Sequence, residues 1–499
     1  MTMQKQRILL VEPPFHRLYK ETMSLPRHPL SLGYLAGAVR KHTDWDVAAY
    51  NADFSPISEP WSITYMAGAG YQNYLRNLAS ATGKVWQEVR RVIEVHRPQV
   101  VGISTKSASL ASARRVARIA KESDPRTVVV VGGPHPSAVG TDVLRWPDID
   151  IGVRGEGEGT LVELLQALQR QATLDGIPGL VFRKNGAPVE NPPRPAIKDL
   201  DSLCFPHTHA REVLTDFAAY PLDAFSSVFA TRGCPFACFF CGSRYIWGRQ
   251  VRHRSVQNVL REIHALRSLG IHEIHFEDDT FGVSRERIRS LCSALAADCP
   301  GLRWSCEMHV NLVDDEILGH MRRSGCYMIR LGIESGNDQI LKAMRKGFTI
   351  EKALAAARRI KSHGITLFTF FMIGFPQEIE ETIRDTMRAI EQTDSDSVIY
   401  SIFTPYPGTE AFEYCKLKGM IDETSDVSLY NHQSPANHFS LSLSRERFRE
   451  LANEVERTIH RRNFRNRMKR IFSGRTLLRA REIGLRQSVR RFVAFLRSA

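Results

Sequence analysis

Short apolar runs alternate with helix-like segments along the first 170 residues of the chain. Buried strands are predicted at 7–12, 99–104, 127–133 and 148–155. Amphipathic helices are predicted at 30–42, 84–96, 109–122 and 159–170. Because parallel strands need crossover helices between them, this alternation predicts a doubly wound parallel sheet of the α/β class. Ligands on such sheets bind outside the carboxyl ends of the strands.

Small and polar residues occupy these predicted strand ends. The candidates for ligand contact are Ser104, Thr105, Gly132, Gly133, His135 and Glu156. Glycine permits close approach of the backbone to a ligand. The first strand continues as VEPPFHR without G-x-G-x-x-G, so the pattern does not favour a dinucleotide site.

The pattern changes near the middle of the chain and then resumes. Asn185-Gly186 separates two alternating stretches within 179–192, which predicts a β-hairpin, and prolines predict an extended linker over 192–206. Further strands are predicted at 226–232, 273–278, 303–308, 328–335, 366–374 and 397–404. These βα units predict a partial (β/α)6 barrel of the TIM type, with its active site at the C-terminal ends of the strands.

The chain of 499 residues therefore divides into four predicted parts. They are a Rossmann-like domain at 1–195, a linker at 196–223, a partial barrel at 224–430 and a helical basic region at 431–499. Apolar residues make up 43% of the chain, as in globular proteins, and no apolar run reaches the length of a membrane span. We therefore expect a cytoplasmic protein.

Three of the nine cysteines form a close cluster after the first strand of the predicted barrel. Cys234, Cys238 and Cys241 have the spacing C-x₃-C-x₂-C, whereas the other six cysteines are scattered. Thiolates bind Zn²⁺ or iron–sulfur clusters. A four-iron cluster held by three cysteines leaves one iron open to a small molecule. The alternative is a zinc site in which His253 supplies the fourth ligand.

The cysteine spacing, with Phe240 before the last cysteine, resembles the signature of the radical S-adenosylmethionine (SAM) superfamily. FEDDTF, GIESG, FFMIGFP and TPYPGT follow in the order of that family, so the resemblance covers about 225–415. It implies a [4Fe-4S] cluster on the three cysteines and a set of SAM contacts. These contacts are Glu277, Asp278 and Asp279 for the amino group, Gly332, Glu334 and Ser335 for the ribose or carboxylate, and Gly374 for the adenine. Lys346 occupies a position that is often basic in the family. The alternative interpretation is an exposed lysine at a helix end.

The first domain resembles the cobalamin-binding domain of B12-dependent radical SAM enzymes. EPP, PLSLGYLA, VGIS, GGPHPS and RGEGEGTLVELL carry this resemblance over about 5–200. It implies a nucleotide tail near Ser104, Thr105 and Gly132–Gly133. The Asp-x-His-x-x-Gly motif is absent, so we expect no histidine on cobalt. The alternative is a domain that is kept without its cofactor.

The resemblance implies reductive cleavage of SAM to a 5′-deoxyadenosyl radical. Its best-known use is cobalamin-dependent methylation of an unactivated carbon or of phosphorus. A second possibility is radical rearrangement or oxidative cyclisation, as in anaerobic magnesium-protoporphyrin monomethyl ester cyclase. A non-catalytic zinc- or nucleic-acid-binding protein is the alternative from another class.

The net charge of +14 is concentrated at the C-terminus. Residues 441–499 contain 17 Lys and Arg against 5 Asp and Glu. The basic, apolar-interleaved segment at 465–498 has three interpretations, which are a helical cap or partly disordered tail, a peripheral contact with the inner membrane surface, or nucleic-acid binding. The near-neutral body predicts a small-molecule or lipid substrate and no nucleic acid. An external flavodoxin- or ferredoxin-type reductant is implied by the family.

Overall fold

The structure is a computed structural model that describes residues 5–25, 27–56, 63–422, 425–432, 434 and 437–471. The chain packs into two compact units. One comprises 1–283, 293–303 and 404–437, and the other comprises 284–292, 304–403 and 438–499. The predicted domain limits at 195, 223 and 430 follow a different division and stay predictions. Along the described part of the chain, no helix is both long and apolar enough to cross a bilayer.

A seven-stranded sheet begins the first unit. Its strands are β1 (Arg7–Glu12), β2 (Asp46–Asn51), β3 (Val100–Ser104), β4 (Val128–Gly132), β5 (Ile151–Val153), β6 (Leu180–Lys184) and β7 (Ala187–Glu190). The spatial order is β2-β1-β3-β4-β5-β6-β7, and the pairs among β1–β5 are parallel. This doubly wound parallel sheet confirms the predicted α/β class.

Helices connect the parallel strands. They are α1 (His16–Tyr19), α2 (Leu30–His42), α3 (Ile63–Ala67), α4 (Ala69–Ala79), α5 (Lys84–His96), α6 (Leu110–Ser123), α7 (Pro134–Val139) and α8 (Gly157–Gln169). The apolar faces of β1, β3 and β4 pack with those of α5 and α6 in one buried core that includes Val101, Val129, Trp86 and Val116. Parallel strands buried on both faces read as continuous apolar runs, which is why these three were predictable.

The β6–β7 hairpin of this sheet was predicted, whereas strand β2 was not. The hairpin β6–β7 turns at Asn185 and Gly186, both with positive φ, as the Asn-Gly pair predicts. Strand β2 was missed, because DVAAYN carries polar residues at both ends and gives only a weak strand signal. It occupies the outer edge of the sheet, where pairing with β1 supplies what the sequence lacks.

The rest of the first unit carries the cysteine loop. Its elements are α9 (Ala210–Val213), β8 (Ser227–Val228), β9 (Thr231–Arg232), α10 (Arg244–Trp247), β10 (Arg252–His253), α11 (Val256–Ser268) and β11 (Glu273–Phe276). Helix α12 (Arg285–Asp298) follows, and the division into units falls within it, after residue 292. Strand β8 pairs in parallel with β11, whereas β9 pairs antiparallel with β10. The single strand predicted at 226–232 is therefore wrong as one continuous element. It breaks because the Asp278 carboxylate accepts the backbone N–H groups of Ala230 and Thr231.

The second unit repeats the βα pattern. Its elements are β12 (Arg303–Met308), α13 (Asp315–Arg323), β13 (Cys326–Glu334), α14 (Asp338–Ala343), α15 (Ile350–Ser362), β14 (Thr366–Ile373), α16 (Glu380–Gln392) and β15 (Ser397–Ile402). Neighbouring strands from β12 to β15 are parallel. The five strands predicted from 273 to 404 are therefore all present, with ends within a few residues of prediction, and only the first strand of the predicted (β/α)6 arrangement is broken.

Two helices complete the described chain, α17 (Glu410–Leu417) and α18 (Arg445–Ile471). Helix α18 packs on α16 and β15 within the second unit. Arg462 donates to the carbonyl oxygens of Thr393 and Ser395 and is buried there. The described part of the basic C-terminal region is therefore a helical cap, while 472–499 of the predicted tail lie outside the described residues.

Candidate active site

The cysteine loop leaves β9 through a glycine that no other residue could replace without a clash. Gly233 has φ +105°, and a Cβ atom there would lie 2.4 Å from the carbonyl oxygen of Gln250. Cys234, Cys238 and Cys241 follow, and none of them is in a disulfide. Burial raises the pKa of the Cys234 thiol to about 11. A bound cation would displace that proton, because the thiolate is the metal ligand.

The donor set fits an iron–sulfur cluster better than a single ion. Within the described residues, no group of three or more His, Cys, Asp or Glu side chains converges on one ion position. A zinc ion needs four ligands about 2.0–2.3 Å from one point. In a four-iron cluster each thiolate binds a different iron atom, so three sulfurs need not meet. His253 lies on β10 opposite Thr231.

The acidic run after β11 separates into two kinds of side chain. Asp278 is buried, and its carboxylate accepts from the backbone N–H groups of Ala230 and Thr231 and from the Thr231 hydroxyl at 2.6–3.2 Å. Glu277 and Asp279 point the other way, since successive side chains of extended backbone alternate. Asp279 accepts from the Ser243 hydroxyl at 2.7 Å, next to the cysteine loop.

A cavity of about 290 Å³ lies at the carboxyl edge of the seven-stranded sheet, and we call it the sheet-edge cavity. Its floor contains Gly102, Ser104, Gly132 and Gly133, and Glu156 and Arg232 stand in its wall. A Cβ atom on Gly102 would lie 2.9 Å from the Leu10 side chain. Glycine is therefore required here for β3 to pack beside β1. Leucines, valines and aromatic residues make most of the remaining wall.

Two of the predicted contacts face away from this cavity. Thr105 is buried, donates its N–H to Gly132 and accepts the N–H of His135. The His135 ring lies 3.0 Å from the Ser107 hydroxyl, and burial lowers its pKa to about 4, so the imidazole is neutral. Both residues shape the turn after β3 and β4, and neither lines a cavity at the sheet edge.

A second cavity of about 730 Å³ adjoins the first, and we call it the loop cavity. Gly242, Ser243, Glu277 and Asp279 line it on the side of the cysteine loop. Glu12, His16, Asp53, Lys106, Tyr406 and His432 line its other walls. The two cavities share Leu30, Ser31, Lys106, Pro134, Ile246 and Trp247. All of these residues belong to the first unit.

Two pairs of hydrogen-bonded side chains in the loop cavity were not predicted. The Lys106 ammonium lies 2.9 Å from a Glu12 oxygen, and His16 Nδ1 lies 2.7 Å from an Asp53 oxygen. Asp53 also accepts the backbone N–H groups of Phe15 and Arg17, which fixes its carboxylate. The signal available was their position directly after β1, β2 and β3, where a doubly wound sheet binds ligands.

The remaining predicted contacts lie in the second unit. Glu334 ends β13 with φ +73°, and its carboxylate is 3.2 Å from the Lys346 ammonium. Lys346 is buried, so the exposed helix-end interpretation is wrong. A Cβ on Gly332 would lie 2.6 Å from that carboxylate, and Ser335 is buried beside Thr386. Gly374 donates its N–H to buried Glu378. Assignment of these residues to SAM stays a prediction.

The chain matches known families in both halves. A model described as the B12 binding domain matches residues 17–165, and one described as the radical SAM superfamily matches 228–390. The uncharacterized methyltransferase PH0819 of Pyrococcus horikoshii is 32% identical over 83% of this chain and 83% of its own. The chain belongs to the cobalamin-dependent radical SAM enzyme family.

Other members of the cobalamin-dependent radical SAM family extend this picture. The cytidylyl-2-hydroxyethylphosphonate methyltransferase of Streptomyces wedmorensis is 27% identical over 86% of this chain and 85% of its own. The structure of TsrM from Kitasatospora setae, a methyltransferase with cobalamin and a [4Fe-4S] cluster bound, superposes with a TM-score of 0.68 at 18% identity. That structure covers 91% of this chain and 89% of its own.

Family membership confirms several predictions. The fold class, the assignment as an enzyme and the predicted cofactors, namely a [4Fe-4S] cluster, SAM and cobalamin, are those of the family. It also removes the non-catalytic zinc- or nucleic-acid-binding alternative. The assignment of individual residues to these cofactors stays a prediction.

Proposed function

We propose that this enzyme methylates an unactivated carbon or phosphorus centre of a small molecule. The observation that carries the proposal is the adjoining pair of cavities in the first unit. The sheet-edge cavity lies on the B12-type sheet, the loop cavity lies against the cysteine loop, and the two share six wall residues. A substrate in the loop cavity would therefore stand beside both cofactor positions, as a radical methyl transfer requires.

Three cysteines and one acidic side chain serve the SAM-cleaving half of the reaction. Cys234, Cys238 and Cys241 would hold the cluster, and Asp279 would hold the SAM ammonium beside it. When bound, the cluster supplies an electron for cleavage of SAM, and cobalamin supplies the methyl-transfer centre. Asp278 does not contact SAM in this proposal, because it is buried and its carboxylate already accepts three hydrogen bonds from residues 230 and 231.

The sheet-edge cavity would hold part of cobalamin against the glycine floor. Gly102, Gly132 and Gly133 leave the space, and Ser104 offers a hydroxyl at its edge. The apolar walls would exclude water from the reacting centre.

The loop cavity would orient the substrate. Its Glu12–Lys106 and His16–Asp53 pairs offer hydrogen-bond donors and acceptors on one wall, and Tyr406 offers an aromatic face on another. Such fixed pairs bind polar groups with little reorganisation. These walls favour a polar small molecule over an extended lipid.

The deciding experiment uses SAM that carries a labelled methyl group, with anaerobically reconstituted enzyme and hydroxocobalamin. Label in a product, together with 5′-deoxyadenosine, supports the proposal. Deoxyadenosine without transferred label favours rearrangement or cyclisation. A relative from Rubrivivax gelatinosus, 28% identical over 77% of this chain, is named anaerobic magnesium-protoporphyrin IX monomethyl ester cyclase. Cys238→Ala should abolish SAM cleavage, while Cys204→Ala, outside the loop, should retain it.

Two further partners complete the proposal. An external one-electron reductant of the flavodoxin or ferredoxin type would reduce the cluster, and the basic C-terminal region would contact the inner membrane surface of a cytoplasmic enzyme. The excess of 17 basic over 5 acidic residues in 441–499 supports the second contact. Each basic residue near anionic lipid contributes about 1 kcal/mol.

Sedimentation with phosphatidylserine-containing vesicles tests the membrane contact. The full chain should sediment with these vesicles and remain in solution with neutral phosphatidylcholine vesicles. Replacing Arg475, Arg479 and Arg486 by Gln should reduce the bound fraction. Equal binding to both vesicle types would contradict an electrostatic contact.

A further inference from the structure

Glu156 is the centre of a buried ion-pair network. Its two oxygens accept from Arg232 Nη1, from Arg252 Nη1 and from the backbone N–H of Ile197, each at 2.7 Å. Only 2% of its side chain is exposed. This carboxylate therefore joins the start of α8, where Glu156 lies, to the linker and to the two strands that flank the cysteine loop.

Arg232 extends the network to a second carboxylate. Its Nη2 donates to Glu158 at 2.7 Å, and its guanidinium lies between the rings of Tyr34 and Trp247, at 4.9 and 4.7 Å from their centroids. Glu156, Glu158, Arg232 and Arg252 make up what we call the Glu156 network. Its two acids and two bases balance in charge.

The placement of the two acids favours this arrangement. Glu156 is the N-cap of α8 and Glu158 lies in its first turn, where the helix dipole stabilises negative charge. Buried ions are costly unless they are paired and hydrogen-bonded. The network meets that condition, because each of its charged groups has a partner of opposite charge.

The network anchors both ends of the cysteine loop. Arg232 stands two residues before Cys234, and Arg252 follows the loop on β10, paired with Arg232 across the β9–β10 ladder. Arg252 also donates to the carbonyl oxygen of Trp247 at the end of α10. The path of the loop from 232 to 252 is therefore tied at each end to the start of α8.

The same side chains form a wall of the sheet-edge cavity. Glu156, Glu158, Arg232, Tyr34 and Trp247 all line it, and Trp247 also lines the loop cavity. A ligand that fills the sheet-edge cavity would restrict these side chains directly. This restriction would reach the cysteine loop because Arg232 and Arg252, which hold its two ends, both donate to the Glu156 carboxylate.

We propose that the Glu156 network couples the two cofactor positions, so that cobalamin in the sheet-edge cavity and the cluster on the cysteine loop strengthen each other's binding. The inference rests on the proposed function, because it takes cobalamin as the occupant of that cavity. Coupling between two sites is reciprocal and commonly changes affinity about 5- to 150-fold. Glu156 acts here as a positioning residue, because it acts on the cysteine loop through Arg232 and Arg252.

The test measures the dissociation constant of hydroxocobalamin for the full-length enzyme, with and without its reconstituted cluster. For the unchanged enzyme we expect binding at least about five-fold tighter when the cluster is present. In Glu156→Gln and Arg232→Lys this ratio should fall toward one. Iron retained per chain after gel filtration should also rise with hydroxocobalamin only where the network is intact.

A matched control separates coupling from general loss of stability. Arg254 and Glu262 form another buried ion pair in the same unit, and neither lines the two cavities. Glu262→Gln should lower the melting temperature and keep the affinity ratio. Should Glu156→Gln fail to fold, Glu158→Gln takes the negative charge from only one of the two Arg232 partners and should give an intermediate ratio.

The outcomes are distinguishable. If the unchanged enzyme binds hydroxocobalamin tightly and with the same dissociation constant with and without the cluster, the coupling is overturned and the proposed function is unaffected. An unchanged ratio in folded Glu156→Gln or Glu158→Gln would have the same consequence. Complete failure of the unchanged enzyme to bind hydroxocobalamin would overturn both the coupling and the cobalamin-dependent function.

Discussion

Asp278 and Asp279 are adjacent residues with different surroundings. Asp278 is 1% exposed, and its carboxylate accepts three hydrogen bonds from residues 230 and 231. Asp279 instead lines the loop cavity, where it accepts from the Ser243 hydroxyl. The first therefore shapes the strand that precedes the cysteine loop, and the second is available to a ligand. A substitution at each position should affect different quantities.

Asp278→Asn should lower the free energy of unfolding by about 1–3 kcal/mol, because an amide cannot accept all three hydrogens. Asp279→Asn should leave that free energy nearly unchanged and weaken SAM binding by roughly ten-fold or more, since it removes a charge-assisted contact. Chemical denaturation and a SAM titration of the anaerobic enzyme measure the two effects. Similar loss of SAM affinity in both variants, with both fully folded, would contradict this division.

Glu378 gives the second unit a pH-dependent stability. Burial raises its carboxyl pKa to about 8, although the N–H groups of Gly374 and Phe375 donate to it. The folded-state pKa exceeds the unfolded value of 4.5, so the folded protein binds the proton more tightly. Its contribution is complete below pH 4.5 and is lost as the pH rises through 8.

In the unchanged protein, the free energy of unfolding should fall by up to about 1.4 kcal/mol per pH unit between pH 4.5 and 8 because of Glu378. Glu378→Gln should abolish this pH dependence, because glutamine does not titrate. Urea unfolding at several pH values measures the slope. Glu381→Gln, an exposed neighbour on α16, is the control and should keep it. A slope shared by both variants would assign the pH dependence to another group.

At the scale of elements, α18 protects the outer strand of the second unit. The Asn463 side chain accepts the N–H of Val398 at 2.9 Å and donates to its carbonyl oxygen at 2.8 Å. It thereby satisfies polar backbone groups of β15 that an unprotected edge would leave open. The helix is thus part of the unit, and its basic residues are on a packed element up to 471.

Asn463→Ala should destabilise the protein by about 1–3 kcal/mol, because it leaves a buried donor and acceptor without their partner. Asn453→Ala, exposed on the same helix, should change the unfolding free energy by less than about 0.5 kcal/mol. Denaturant unfolding of both variants tests this. Equal effects would mean that helix propensity, rather than the contact with β15, determines the loss.

For the whole molecule, both cavities lie in the first unit, so ligand effects should be uneven along the chain. Hydroxocobalamin should slow amide hydrogen exchange at 102–106 and 132–134, where the sheet-edge cavity is lined, and leave β14 nearly unchanged. Exchange followed by mass spectrometry gives this profile for the full-length protein. Protection at β14 equal to that at the sheet edge would contradict the assignment of the cavity.

The sequence by itself determined the class of fold and the cysteine centre. Continuous apolar runs predict strands such as β3 and β4 because burial on both faces leaves no polar positions. The Cys234–Cys238–Cys241 spacing is equally local, since three ligands within one loop need no distant contact to be recognised. These features can be predicted from the sequence because they depend on residues that are neighbours along the chain.

The tertiary structure alone decided which polar side chains face the cavities. The Asp278 carboxylate accepts backbone N–H groups of residues 230 and 231, the His135 ring meets the Ser107 hydroxyl, and Glu156 meets Arg232, which is 76 residues away. Whether a polar group points at a ligand or at another segment depends on where its partners come to lie. That is set by long-range packing, and a linear pattern of residue types does not contain it.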